Sequence, residues 1–221
     1  MNYSFTDRTG GLSTGAFLSR NLATHVGDDH ATVIANRAEL ENLLGLPIQY
    51  MNQIHGDAVA TVGAEIIPEP TADALVTQSV DIGLAVMVAD CIPLLFISRE
   101  AVAAVHVGRA GLINKVAIKT LHQMRTIGAI DIHAIIGPSI CGRCYEVPFE
   151  LQQAVIADHP RAFSTTHKGT PGLDLPAALI ADLVAEGVTY EASSSCTMED
   201  DLYFSHRKHN PTGRFAGVVS L

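Results

Sequence analysis

At 221 residues, with 48% apolar and 17% charged side chains, the chain has ample material for a hydrophobic core and too little charge for disorder. A formal net charge of −9 with scattered lysines and arginines excludes the basic stripe that binding to a nucleic-acid backbone requires, and it favours small-molecule partners. No apolar run approaches the roughly 20 residues that cross a bilayer, so a helical membrane protein is excluded as well.

The N-terminal Met1-Asn-Tyr-Ser-Phe-Thr-Asp7 lacks the basic and apolar regions of a signal peptide, so a cytoplasmic protein is expected. Nothing in the composition marks a linker, and residues 1–221 are expected to form a single domain. In a reducing compartment, Cys91, Cys141, Cys144 and Cys196 are expected as thiols or metal ligands rather than disulfides.

In chain order, Phe5 to Gly15 carries too many glycines and hydroxyls for a regular element and reads as a loop that could fold over a pocket. Asp28-Asp29 offers an N-cap to a helix whose inward face is predicted as Val33, Ile34, Arg37, Leu40, Leu43 and Leu44, ending at Gly45. Short strands follow at 48–53 and 58–62, flanking His55-Gly56, where the glycine is expected to let the backbone turn, and another at Ala74–Thr77. Two valine- and isoleucine-rich runs, one from Ile82 past Cys91 to Phe96 and one from Ala101 to Gly108, read as buried strands that end at Cys91 and His106.

A helix with Ile113, Val116, Ala117, Thr120, Leu121 and Met124 on one face is predicted to start just beyond Gly108 and to stop at Gly128. Its first-turn N–H groups would then lie near His106 and could hold an anion such as phosphate. A strand at 132–136 breaks at Gly137-Pro138. Helices are predicted from Pro148 to before Pro160 and from Asp174 to Gly187, the second carrying Leu179, Ile180, Leu183 and Val184 inward. The tail from Tyr203 through Arg207 and from Thr212 to Val219 reads as strand, turn, strand. Strands stand both beside each other and between helices, which supports a mixed α/β (α+β) architecture without fixing strand order.

Singly, His55, Cys91 and His106 are ordinary core or surface residues; jointly they form a borderline-soft set suited to zinc, or to copper as the alternative. Three protein ligands leave a fourth position for water or substrate, as in catalytic sites, and zinc lowers the pKa of bound water from near 16 to about 7. Asp73 and Asp90 are the nearest carboxylates in sequence for orienting an imidazole or moving a proton, and each could equally cap a turn. Cys141-Gly-Arg-Cys144 has the spacing of a redox pair or half a zinc knuckle but lacks a second pair, and its preferred reading is of loop cysteines that shape a pocket wall. Arg207 and Arg214 flank a turn, and their guanidinium forks suit phosphate.

Asn21 to Asp29, Asn36-Arg37, Asn52-Gln-Ile-His55-Gly, Ala72 to Thr77, Val88-Ala-Asp-Cys91-Ile-Pro-Leu-Leu, Ala103-Ala-Val-His106-Val-Gly108, Ile136 to Glu146 and Thr212-Gly-Arg214-Phe-Ala-Gly resemble, in order, the motifs of the YfiH-type laccase-domain family. That family is named multicopper polyphenol oxidoreductase and also described as purine nucleoside phosphorylase with adenosine deaminase activity. The resemblance covers nearly the whole chain and implies an α/β/β/α layered sandwich with a metal on His55, Cys91 and His106. It further implies a purine nucleoside beside the metal and phosphate as second substrate. Where the family continues its second metal histidine as His-x-Gly-Trp-Arg-Gly, this chain has His106-Val-Gly-Arg109-Ala-Gly111, which places Arg109 one position early, and His206 replaces a frequent tyrosine. A copper-dependent phenol oxidase, a hydrolase with Cys91 as nucleophile and His106 as base, and a non-catalytic nucleoside-binding protein are the competing expectations.

Overall fold

The valine- and isoleucine-rich runs become the central strands of two stacked sheets in the computed structural model, which describes residues 2–221. A four-stranded sheet has the order β1 (Asn2–Phe5), β12 (Phe215–Ser220), β5 (Gly83–Val88), β2 (Ile48–Gln49). A six-stranded sheet has the order β11 (Thr189–Ala192), β8 (His133–Ile136), β6 (Ile92–Ile97), β7 (Val102–Val107), β4 (Ala74–Thr77), β3 (Val59–Val62). Only the outer pairs β11–β8, β3–β4 and β2–β5 are parallel. A small hairpin of β9 (Phe163–Thr165) and β10 (Pro171–Leu173) stands apart.

Strand parity sorts the side chains into layers. Leu84, Val86 and Val88 of β5 meet Leu95, Val102 and Ala104 of the other sheet, forming the core between the sheets. The opposite faces are covered separately. Ala85 and Met87, with Ala216 and Val218, pack under Leu40 of α1 (His30–Leu44). Leu94, Phe96, Ala103 and Val105 pack under α3 (Val116–Thr126) and α5 (Leu175–Ala185), beside α2 (Arg109–Ile113) and α4 (Phe149–Asp158). The result is an α/β/β/α sandwich, and burial on both faces explains why β5 and β7 read as continuous apolar runs rather than alternating ones.

The boundaries differ from the sequence reading in instructive places. The first apolar run is two strands, β5 and β6, which belong to different sheets, so Cys91 sits at the corner where the chain changes layer. The strands predicted over 48–53 and 58–62 shrink to β2 and β3. The helix expected from Gly108 to Gly128 breaks into α2 and α3 at Lys115, which adopts a left-handed φ of 59° and leaves Ile113 outside the buried face. Residues 203–207 form turns rather than a strand: His209 N–H donates to Ser205 C=O within the segment, and Arg207 N–H is taken by the distant Asp90 carboxylate. On α5, Val184 is exposed while Leu175 takes an inward place.

On α1 the cap at Asp29 and the left-handed stop at Gly45 are as expected, whereas Ile34 and Leu43 face solvent. The inward stripe is Val33, Asn36, Arg37 and Leu40. Its two polar members are fully used: Asn36 donates to Ser13 Oγ (2.9 Å) and Asn21 C=O (2.9 Å) and accepts from Leu12 N–H (2.8 Å). Arg37 donates to Leu22 C=O (2.8 Å), pairs with Glu69 and lies over the Tyr50 ring at 3.9 Å. The N-terminal loop is thereby tied to α1. No helix of the described residues is long and apolar enough to cross a membrane. Replacing Asn36 by alanine strands three loop groups at once, so urea unfolding should show a loss of about 2 kcal/mol or more; an unchanged midpoint would remove this tie from the account.

Candidate active site

The site forms at the end of the sandwich where β5, β6 and β7 deliver their polar termini. On β7, Val102, Ala104 and His106 share the face toward the other sheet, so His106 is the last side chain of the inter-sheet layer. The β4–β7 pairing sets Ala74 opposite Val105, which puts Asp73 opposite His106, and His106 N–H donates to Asp73 C=O at 2.8 Å. Cys91 reaches the same point from the β5–β6 corner, and His55 from the turn after Asn52.

The ligand atoms of His55, Cys91 and His106 all lie within 4.8 Å of one another, with Cys91 Sγ 3.9 Å from His55 Nε2. The two imidazoles stand edge to face, with centroids 4.7 Å apart. Asp73, with no exposure to solvent, organises both: its Oδ1 holds His106 Nδ1 at 2.8 Å and His55 N–H at 2.9 Å, and its Oδ2 takes Gly56 N–H at 2.6 Å. Because Nδ1 of His106 is engaged, Nε2 is the nitrogen left for the cluster. Asp73 therefore both orients an imidazole and caps a turn, the two readings weighed for it from sequence.

It is His55 itself, not Gly56, that takes the left-handed conformation at the turn, with φ of 59°, and Asp90 beside Cys91 does so at 89°. Such non-glycine backbones are held only where their surroundings over-determine them. For His55 the three N–H bonds to Asp73 do this; for Asp90 the bonds are those from Thr197 Oγ1 at 2.7 Å and Arg207 N–H at 2.6 Å. Gly56 and Gly108 supply space instead. A Cβ on Gly108 would stand 3.0 Å from Cys91 Sγ and 3.1 Å from His55 Cδ2, so the backbone hugs the cluster.

Electrostatics follow the geometry. Burial opposes ionisation of the Cys91 thiol, but the His106 and His55 imidazoles outweigh it and bring the thiol down to about 6. Burial likewise works against charge on His106, and the Cys91 sulfur and Asp73 carboxylate reverse that, raising it to about 9. Asp73 would be pushed up by its burial, yet the bonds from His106 and the Gly56 N–H keep it below the ordinary carboxylate range.

The cluster opens into a cleft of about 390 Å³. His55, Cys91, His106, Asp90, Arg109, Arg207 and Arg214 all line it, so the one-place shift of Arg109 still leaves it on the cleft wall. Asp73 is not at the cleft surface; it lies behind His106. None of the three arginines is in an ion pair among the described residues. Arg207 lies over the Tyr145 ring at 5.2 Å, and Arg214 Nη1 donates to Thr212 and Gly213 C=O, both at 3.0 Å.

Other expectations fail. The 5–15 loop does not line the cleft, because Asn36 holds it against α1. Cys141 and Cys144 do not shape the cleft wall; their neighbours Ile140 and Tyr145 do, and the two thiols turn away. Sequence reasoning about the site passed over His25, Gln53 and Met87 on the wall. Gln53 clamps β5 by donating to Met87 C=O at 2.7 Å and accepting Met87 N–H at 2.8 Å, and burial together with the Arg214 guanidinium holds His25 below its ordinary pKa. Each falls inside a motif, but its neighbours along the chain say nothing of the cleft.

The family model described as "Multi-copper polyphenol oxidoreductase laccase" matches residues 2–221. A Mycobacterium tuberculosis protein named purine nucleoside phosphorylase is 44% identical over 226 residues, covering 97% of this chain and 89% of the relative. A Corynebacterium glutamicum protein of the same name is 41% identical over 228 residues, covering 98% and 93%. Among solved structures, a Neisseria meningitidis DUF152 protein superposes with a TM-score of 0.90 at 36% identity, over 99% of this chain and 93% of that one. YlmD from Geobacillus stearothermophilus gives 0.89 at 30% identity, over 99% and 90%. The chain belongs to the multi-copper polyphenol oxidoreductase laccase family, with the DUF152 and YfiH proteins as its structural neighbours.

Proposed function

We propose that this protein is a zinc-dependent purine nucleoside phosphorylase that also deaminates adenosine. The observation that carries the reading is the meeting, in one cleft, of a His55–Cys91–His106 donor set with three guanidiniums free of carboxylate partners. The donors fit the metal. Two imidazoles and a thiol suit zinc, Asp73 fixes the His106 tautomer from behind, and glycine at 108 leaves the room that a Cβ would fill. When bound, zinc supplies a Lewis acid with a fourth position open to substrate or water.

The chain's own residues account for the rest. Arg109, Arg207 and Arg214 hold phosphate, their charge concentrated locally in a protein of net charge −9. A phosphate oxygen bonds to C1′ as the C1′–N9 bond breaks, and the base leaves with the bonding pair and takes up a proton. The cleft volume of about 390 Å³ suits a nucleoside-sized substrate. In deamination, water adds at C6 of adenine and ammonia departs, with Asp90 the carboxylate on the cleft wall nearest the cluster in sequence. A reducing cytoplasm suits a chain whose four cysteines are all free.

Chromatography of adenosine and inosine incubated with zinc-loaded protein tests the reading. Free base with ribose 1-phosphate, formed only when phosphate is present, is expected from both nucleosides, and inosine from adenosine without phosphate. Nucleosides recovered unchanged would defeat it. Cys91→Ala should abolish both reactions. Asp73→Asn should weaken zinc binding by about 10–100-fold, because the amide supports the His106 ring less well; equal affinity in a zinc titration would deny Asp73 that role. Arg214→Ala should raise the KM for phosphate about tenfold with little change for nucleoside, equivalent to about 1.4 kcal/mol.

Cys91, His106 and Asp73 also stand in the order of a cysteine hydrolase, which gives a second reading. Iodoacetamide separates the two. Under the zinc reading Cys91 resists alkylation until a chelator is added; a thiol that reacts at once in protein carrying zinc favours the hydrolase.

A further inference from the structure

We propose that Cys141, Cys144, Cys196 and Glu199 form a second, structural zinc site. Their ligand atoms all lie within 4.8 Å of one another. Four ligands about 2.3 Å from a tetrahedral zinc stand about 3.8 Å apart, so a small contraction closes the set.

The backbone builds the site from two matching turns. In Cys141-Gly-Arg-Cys144, the N–H groups of Cys144 and Tyr145 both donate to Cys141 C=O, each at 3.0 Å. In Cys196-Thr-Met-Glu199, the N–H groups of Glu199 and Asp200 both donate to Cys196 C=O, at 3.0 and 2.8 Å. Each turn thus presents its first and fourth side chains together, the arrangement of a zinc knuckle. The half-knuckle visible in sequence lacks a second cysteine pair because its partner is Cys-x-x-Glu.

Topology brings the turns together. Strands β8 and β11 are parallel neighbours, so the loops that follow them leave the sheet at the same end. A bridge between Ser139 and Cys196, with Thr197 N–H donating to Ser139 C=O at 3.1 Å, fixes the loops side by side. Cys141 N–H donates to Cys196 Sγ at 3.3 Å, which ties the two turns directly at the sulfur. The cluster is framed rather than accidental: a Cβ on Gly142 would stand 2.7 Å from Asp174 Cβ and from Ser164 Oγ, and His167 Nε2 lies 3.0 Å from Glu199 Oε1.

Three sulfur donors and a carboxylate at this spacing match the ligand preference of a soft divalent cation, for which zinc is the natural choice. Four protein ligands leave no open position, so the role is structural. The metal would clamp the loop carrying Ile140 and Tyr145 to the segment carrying His206 and Arg207, both of which line the cleft. The proposal holds whatever the substrate is, and its test is read apart from His55, Cys91 and His106.

Zinc content is measured by mass spectrometry in full-length Cys91→Ala protein, which lacks the thiolate of the first cluster. One firmly held zinc per chain is expected, lost in the added variants Cys144→Ser and Glu199→Gln. Glu199 is exposed, so its variant keeps the fold if the serine variant does not. In parallel, iodoacetamide labelling mapped to peptides should find Cys141, Cys144 and Cys196 protected together in zinc-loaded protein and released together by a chelator. Cobalt substitution should give thiolate-to-metal absorption in the Cys91→Ala protein. A Cys91→Ala protein without zinc, thiols alkylated independently of zinc, or a disulfide among the three cysteines would overturn the site.

Discussion

The Asp73 carboxylate is the constraint on which the rest of the active end depends. It is wholly buried, and a charge in that position survives only if every lone pair is answered. The answers come from three N–H groups of the turn at 54–56 and from the His106 ring. Satisfying one carboxylate therefore sets the left-handed backbone of His55 and the rotamer and tautomer of His106 together. Because Asp73 and His106 are also cross-strand neighbours on β4 and β7, strand register places the carboxylate under the ring without any loop having to find it. A slip of one residue would turn His106 toward α3 and bring Val105 or Val107 to the cleft.

The second dependence is on where the two sheets part. Chain reversal at Asp90-Cys91 moves the polypeptide from the four-stranded to the six-stranded sheet, and the corner cannot be covered by either layer. That leaves a wet, polar end on an otherwise apolar inter-sheet core, with Asp90 tying the corner to the 197–207 segment. The arginines come from three separate places, the start of α2, a turn and the approach to β12, and converge only because all three abut this corner.

Much of this was legible in the chain itself. The two-sided burial of β5 and β7 shows as unbroken apolar runs, and the interruptions at Cys91 and His106 mark the residues that the core did not select. Caps at Asp29, Asp174 and Gly45 set helix ends because cap chemistry is local. What escaped depends on contacts distant in sequence. The true inward face of α1 is chosen by what Asn36 and Arg37 bind in the 12–22 loop, which no periodicity encodes. The loss of a strand at 203–207 likewise answers to a tertiary bond, from Arg207 N–H to Asp90. That Cys196 stands beside Cys141 and Cys144 rests on the parallel pairing of β8 with β11, which joins segments far apart in the chain.

Donor count gives the two clusters of the molecule different chemical prospects. A set of three, backed by a buried carboxylate and opening on a cleft lined by guanidiniums, would leave a bound metal an open position, whereas a set of four would not. It also bears on the family's name. Electron transfer through several coppers needs several sets of imidazole and thiolate ligands within reach of one another. Beyond the three-donor set, the described residues gather three thiols and a carboxylate at the β8–β11 loops, and His25 and His206 stand on the cleft wall. The cleft joins one three-donor set to three guanidiniums without ion-pair partners, an arrangement that favours anions.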